Sequence, residues 1–229
     1  MLLAATTCVA LGYMLANPIA IALESRAPSV SVGSVSHGSL RHGKRLPSRG
    51  VNFGAYSLLG LFLGRNTVNG RVRDAVVDAY AELRDSLPMG RFVYGECGWP
   101  HGGRFRPHRT HQNGLSVDFF LPVRDERNAV TTLPTWPWRG CGYGWEFDST
   151  GRAGGLHVDF AAAAQHLAAL DRAARRHGLA IQLVIIAPEY RRILARSPRG
   201  RDVLALLPFM QGKPWIRHDE HYHVDFVER

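Results

Sequence analysis

Between residues 69 and 87 apolar side chains recur at helical spacing. Val72, Ala75, Val76, Ala79, Tyr80 and Leu83 share one face and Pro88 follows, which predicts a helix from Asn69 to Leu87. A second helix is predicted after Asp159, whose carboxylate suits an N-cap. Phe160, Ala163, Ala164, Leu167, Leu170 and Ala174 form its buried side and Gly178 ends it. The period changes to two from Gly114 to Leu121, where Leu115, Val117, Phe119 and Leu121 alternate with Ser116, Asp118 and Phe120, and Pro122 stops the strand. Arg91 to Gly95, Ala180 to Ile186 and His221 to Val227 read as further strands, and Pro188 and Pro198 suit the first turns of short helices. Trp136, Trp138, Tyr143 and Trp145 lie in a segment broken by Pro and Gly, read as a hairpin over the core, with a substrate-facing loop as the alternative. Helices and strands mixed without regular βαβ units indicate an α+β fold: a single domain with a central, mainly antiparallel sheet flanked by helices.

The N-terminal part follows different rules. Met1 to Ala16 carries no charge, and Ala20-Ile21-Ala22 has the small-x-small form of a cleavage site. Residues 1–24 are therefore read as a signal peptide, or as an uncleaved anchor, since Leu2 to Leu23 is nearly long enough to span a bilayer. Either reading puts the body of the protein outside the cytoplasm, in a periplasm or otherwise exported. Residues 25–50, rich in Ser, Gly, Pro and basic side chains, read as an irregular arm, and 51–229 as the catalytic domain.

Charge narrows the partners. Lys and Arg number 28 against 19 Asp and Glu, a net charge of +9, which attracts polyanions such as anionic wall polymer. No aromatic and basic motif of a nucleic-acid module accompanies it, so nucleic acid is not an expected partner. Membrane contact is expected only through an uncleaved leader. Outside the leader, Cys97 and Cys141 are the only cysteines; they suit a disulfide in an oxidising compartment or two buried thiols.

The candidate chemistry lies in two windows. HRTHQNGLSVD holds His108, His111 and Asp118, and RHDEHYHVDF holds His218, His221 and His223, so five of the eleven histidines fall in these windows. Neutral imidazole with carboxylate is the ligand set preferred by Zn2+. Gly114 lets the chain turn between His111 and Asp118 so that both converge. In the last strand His221 and His223 project to the same side. Two histidines and Asp118 leave a fourth position for water, the open arrangement of a catalytic zinc site.

GGRFRPHRTHQNGLSVDFF and KPWIRHDEHYHVDF together closely resemble the two signature regions of the penicillin-insensitive murein endopeptidases. SVGSVSHGSLRHGKRLP resembles that family more loosely. The wider group includes lysostaphin, the D-Ala-D-Ala metallopeptidases and the hedgehog fold. The resemblance implies that His111, Asp118 and His223 hold zinc, that His221 is general base or transition-state stabiliser, and that His108 and His218 line the site. It implies hydrolysis of D-alanyl cross-links in peptidoglycan, commonly at the bond to meso-diaminopimelate, without an acylated serine.

Two positions depart from the pattern. Glu220 and His223 spell ExxH, the arrangement in which D,D-carboxypeptidases and dipeptidases use the Glu as base; strand parity sets Glu220 opposite His221 and favours His221. Asp225 stands where a basic residue is expected and lies on the metal face, able to hydrogen-bond a ligand or pair with an Arg. A catalytically inactive, zinc-bearing wall-binding module is the non-enzyme alternative. His157, in a second HVDF-like string, His37, His42, His166 and His177 carry no such signal.

Overall fold

The computed structural model describes residues 15–229. The expected leader falls largely outside them. Among the described residues no helix is long and apolar enough to cross a membrane. Asn17 is buried, donating to the Leu46 carbonyl at 3.1 Å and accepting from Asn66 at 3.0 Å.

The principal strands are β1 (Val30–Ser34), β2 (His37–Arg41), β3 (Phe53–Ala55), β4 (Phe92–Tyr94), β5 (Ser116–Phe120), β6 (Leu179–Ile185) and β7 (His221–Glu228), and the two long helices are α1 (Gly70–Ser86) and α2 (Phe160–Arg176). Five strands make the central sheet in the order β6-β7-β5-β4-β3, antiparallel except for the parallel edge pair β3 and β4. Both helices begin within a residue of the expected start, and Asp159 caps the second as expected. Asn69 accepts from Arg71 N and Asp159 from Ala162 N, each satisfying a donor that the first turn leaves open.

The helices cover one face of the sheet. There Phe119 stacks on Tyr222 at 5.6 Å, and His166 of α2 sits fully buried between Tyr80 at 5.0 Å and Phe92 at 5.4 Å. All five residues of β5 are buried, on both faces of the sheet. The polar face is roofed by loops, and that is where the chemistry lies.

Two segments differ from expectation. The arm is not irregular: β1 and β2 form an antiparallel hairpin. Its residues hold the loop before β5, with Gln112 N donating to Val35 O at 3.0 Å and Leu40 N to His101 O at 2.9 Å. Glycine and serine in the strands hid this, since their apolar positions are too few to show a period. The tryptophan-rich segment is no hairpin either. Pro137–Gly142 is a short 3-10 turn, kinked at Gly140 and Cys141; Pro134 and Pro137 lack the N–H that a ladder needs, and the glycines weaken a strand.

His166 makes the stability of this core pH-dependent. Burial pushes its imidazole down to about 3 from 6.5, so below about pH 6.5 the unfolded chain takes up a proton that the folded chain refuses. Stability is full above that pH and is lost as pH falls toward 3, by about 1.4 kcal/mol per pH unit. The double variant His166→Leu/Tyr222→Phe, which removes both hydrogen-bonding partners together, is expected to flatten the urea-unfolding free energy between about pH 6 and 4 by that slope. An unchanged slope contradicts this assignment.

Candidate metal centre

The register of β7 on β5 sets His223 opposite Asp118 and Asp225 opposite Ser116. Directly opposed residues share a face, as do residues two apart on one strand. His221, His223 and Asp225 therefore stand with Asp118 and Ser116 on the roofed face.

His111 reaches this face from the preceding loop. Its backbone is left-handed, φ 69°, an uncommon state that costs about 1–3 kcal/mol for a residue with a Cβ. Gly114, φ 78°, completes the turn; a Cβ there would lie 2.7 Å from Asn69 N. The result aims Nε2 of His111 at Asp118 Oδ1, 3.3 Å away, while His223 Nδ1 approaches the same oxygen at 2.8 Å.

The remaining nitrogens are held from behind. His111 Nδ1 donates to the Cys97 carbonyl at 2.7 Å, which leaves the lone pair on Nε2; that atom is buried with no hydrogen-bond partner. A buried acceptor facing a carboxylate is unfavourable unless a cation lies between them. His223 Nε2 donates to Asp225 Oδ1 at 2.7 Å, and Ser116 Oγ donates to the same carboxylate oxygen at 2.6 Å. Imidazoles backed in this way are the usual ligands of a metal, and the donor set fits one.

His108 stands on the other side of Asp118. Ligand atoms of His108, His111 and Asp118 all lie within 4.8 Å of one another, so His108 competes with His223 as third partner. His223 is the better placed: its Nδ1 addresses the oxygen that His111 faces, whereas His108 Nδ1 is 3.8 Å from Oδ2 and its Nε2 is engaged by Glu96 Oε2 at 2.6 Å. Oδ2 also accepts from the Tyr143 hydroxyl at 3.0 Å, and that hydroxyl in turn accepts from Glu96 N at 2.8 Å. Gly95 permits this approach, because a Cβ there would collide with the Tyr143 hydroxyl.

His221 presents Nε2 to Asp118 Oδ2 at 3.9 Å and Nδ1 to Glu220 Oε1 at 2.8 Å. Regular strand begins at His221, so the alternation expected to hold Glu220 on the far side does not reach it. Its carboxylate turns back to the neighbouring ring instead. His218 donates from Nδ1 to Ile216 O at 2.7 Å, and its ring centre lies 4.7 Å from that of His221. These groups line a cleft of about 310 Å³, with Trp215 and Ile216 on one wall. Cys97 and Cys141 are free thiols, with no disulfide between them.

The charges are set by mutual compensation. Burial alone would depress His223, but Asp225 and Asp118 outweigh it and hold the ring up at about 10. Burial likewise opposes ionisation of Asp118, yet His111 and His221 hold its carboxyl well below the usual range. His218, with no carboxylate against it, is pushed down to about 3 by burial and by His221.

Sequence reasoning missed the outer support. Glu96 receives Tyr56 Oη at 2.7 Å, a two-point Arg65 contact at 2.7 and 2.6 Å, and His108. Despite burial, His108 and Arg65 bring its carboxyl down to about 2. Arg65 and Glu96 lie 31 residues apart, so no local spacing announces them, and the hairpin reading concealed Tyr143.

Residues 31–227 match the sequence profile described as penicillin-insensitive murein endopeptidase. Two curated proteins of that name, from Escherichia coli O157:H7 and its strain EC4115, are each 43% identical over 49 residues. That stretch covers 21% of this chain and only 18% of either relative's length.

Arg65 and Glu96 have side chains 16% and 10% exposed, so removing one partner strands a buried charge, at about 3–5 kcal/mol. Glu96→Ala is expected to lose that much in urea unfolding, and Arg65→Met/Glu96→Ala to recover most of it. A double variant as unstable as the single would show that the pairing is not the cause.

Proposed function

The chain belongs to the penicillin-insensitive murein endopeptidase family, and we propose that it is a zinc-dependent peptidase, acting outside the cytoplasm, that hydrolyses D-alanyl cross-links of peptidoglycan, in particular the bond to meso-diaminopimelate. One observation carries the reading: His111 Nε2 and His223 Nδ1 converge on Asp118 Oδ1 beside a cleft lined by further imidazoles. Two histidine nitrogens and one carboxylate are the protein ligands of many catalytic zinc sites. These three residues would hold the zinc, which would supply Lewis acidity toward a water and the scissile carbonyl.

The other residues divide the proton work. His221 accepts a proton at Nε2, the nitrogen facing the cleft, because Nδ1 is fixed by Glu220. The carboxylate of Glu220 stabilises the imidazolium that results, so Glu220 orients the base rather than replacing it. The imidazolium of His221 then returns its proton to the leaving amine, and His218 stands beside it in the cleft. Tyr143 fixes Asp118 through Oδ2 and leaves Oδ1 for the metal. The net charge of +9 favours an anionic wall.

A second reading has one observation in its favour: Glu220 also lines the cleft, as the base of a D,D-carboxypeptidase or dipeptidase would. Substitution separates the two. His221→Ala is expected to lower kcat by about 10²–10⁴, and Glu220→Gln by about tenfold; the reverse order favours the carboxypeptidase. Digestion of purified peptidoglycan, with products identified by mass spectrometry, checks the substrate. Loss of cross-linked dimers is expected, and release of free D-alanine alone contradicts an endopeptidase. Stoichiometric zinc with no turnover on any muropeptide supports the wall-binding module.

Metal removal tests the centre directly. Chelation is expected to abolish hydrolysis and one equivalent of Zn2+ to restore it, while His111→Ala, Asp118→Ala and His223→Ala lose the metal in elemental analysis. Because the imidazoles must shed protons to bind, zinc affinity falls as pH is lowered. Full activity in chelator-treated, metal-free protein would overturn the proposal.

A further inference from the structure

We propose that Trp136 and Trp138, with the groove running beside β3, bind the glycan strand of the peptidoglycan whose peptides enter the catalytic cleft; this rests on the reading of the cleft given above. The two rings stack at 5.4 Å and 26°, and they are 50% and 76% exposed. Trp145, from the same segment, is 8% exposed and packs into the core. The segment therefore sends one tryptophan inward and holds two in water, where large aromatic surface is unfavourable unless a ligand covers it.

The platform is built in advance of any ligand. Trp136 O accepts from Arg139 N at 2.9 Å and from Cys141 N at 3.1 Å, Pro137 fixes the turn between the two rings, and the Arg139 guanidinium lies 4.6 Å over Trp145. Little conformational freedom remains to be lost on binding.

Its surroundings specify the ligand class. Trp136 lines a groove of about 700 Å³, whose walls include Arg49, Arg91, Thr131 and Thr132. Apolar side chains, among them Phe53 and Leu133, lie between these polar groups, and an acyl chain would leave the polar half of the walls unanswered. A pyranose answers both: its C–H face lies flat on an indole, while hydroxyl and acetamide groups at its rim take hydrogen bonds from hydroxyl and guanidinium side chains. The location agrees. Gly140, in the same turn, lines the catalytic cleft, and four residues span at most about 14 Å. A sugar held on the tryptophans thus leaves its peptide stem within reach of His221.

The test uses the full chain and two ligands without peptides: the N-acetylglucosamine tetramer, and glycan strands stripped of stems by an amidase. Calorimetry is expected to show saturable binding, weakened at least about tenfold by Trp138→Ala and by Trp136→Ala/Trp138→Ala. Trp138 is exposed enough that its substitution leaves the melting temperature unchanged, so the single variant decides should the double one not fold. Hydrolysis of sugar-free cross-linked peptide is expected to be unaffected, while KM on intact sacculi rises at constant kcat. Absence of glycan binding, or wild-type binding by the Trp138→Ala variant, overturns the proposal. So does a Trp138-dependent self-association or vesicle binding without glycan binding, which would assign the face to a second copy or to a membrane. Glycan binding by a protein that hydrolyses nothing would sustain this inference and defeat the proposed peptidase.

Discussion

The registration of β7 against β5 is the constraint on which the site depends. Opposing His223 to Asp118 brings an imidazole to a carboxylate without any loop having to find it. The same pairing opposes Asp225 to Ser116, which places a supporting carboxylate one pleat further along. A slip of β7 by one residue would turn His223 and Asp225 toward the helices and bring Tyr222 and Val224 to the polar face. The apolar contacts beneath, Phe119 on Tyr222 and His166 against Phe119, therefore fix the geometry above. Core packing and site geometry are two faces of one register.

Above that sheet, buried charge is tolerated because each group answers another. Asp118 meets His111, His223 and Tyr143; Asp225 meets His223 and Ser116; Glu96 meets Arg65, Tyr56 and His108. The exception is Nε2 of His111, buried and unpaired. Buried polar networks are stable only when closed, and this one is open at the point where a cation fits. Its backbone strain at His111 is supported from outside by the β1–β2 hairpin, which grips Gln112 and the chain near His101.

What the sequence disclosed follows from the distance over which each interaction acts. The cap at Asp159 and the periods of α1 and α2 are local, and the helix starts were legible to within a residue. His111 and Asp118 share one loop and strand, and His221 and His223 share a parity, so their convergence was also readable. Glu96 and Arg65 meet through folding alone, and nothing in FVYGECG announces the partner. Parity failed at Glu220 because the strand begins one residue later. The disulfide was one of two outcomes that composition allowed, and the structure holds two thiols. The arm and the tryptophan turn were misread for a common reason: glycine, serine and proline carry shape without a hydrophobic period.

The two halves of the centre lie 105 residues apart in the chain, and β7 must insert between β6 and β5 rather than add to an edge. Such contacts form late, since a long loop has to close before they contribute. A partly folded chain therefore holds half of the cluster, His111 and Asp118 without His223. On the proposed reading of the site, the topology acts as a clock: the centre is complete only when the last strand has closed the sheet.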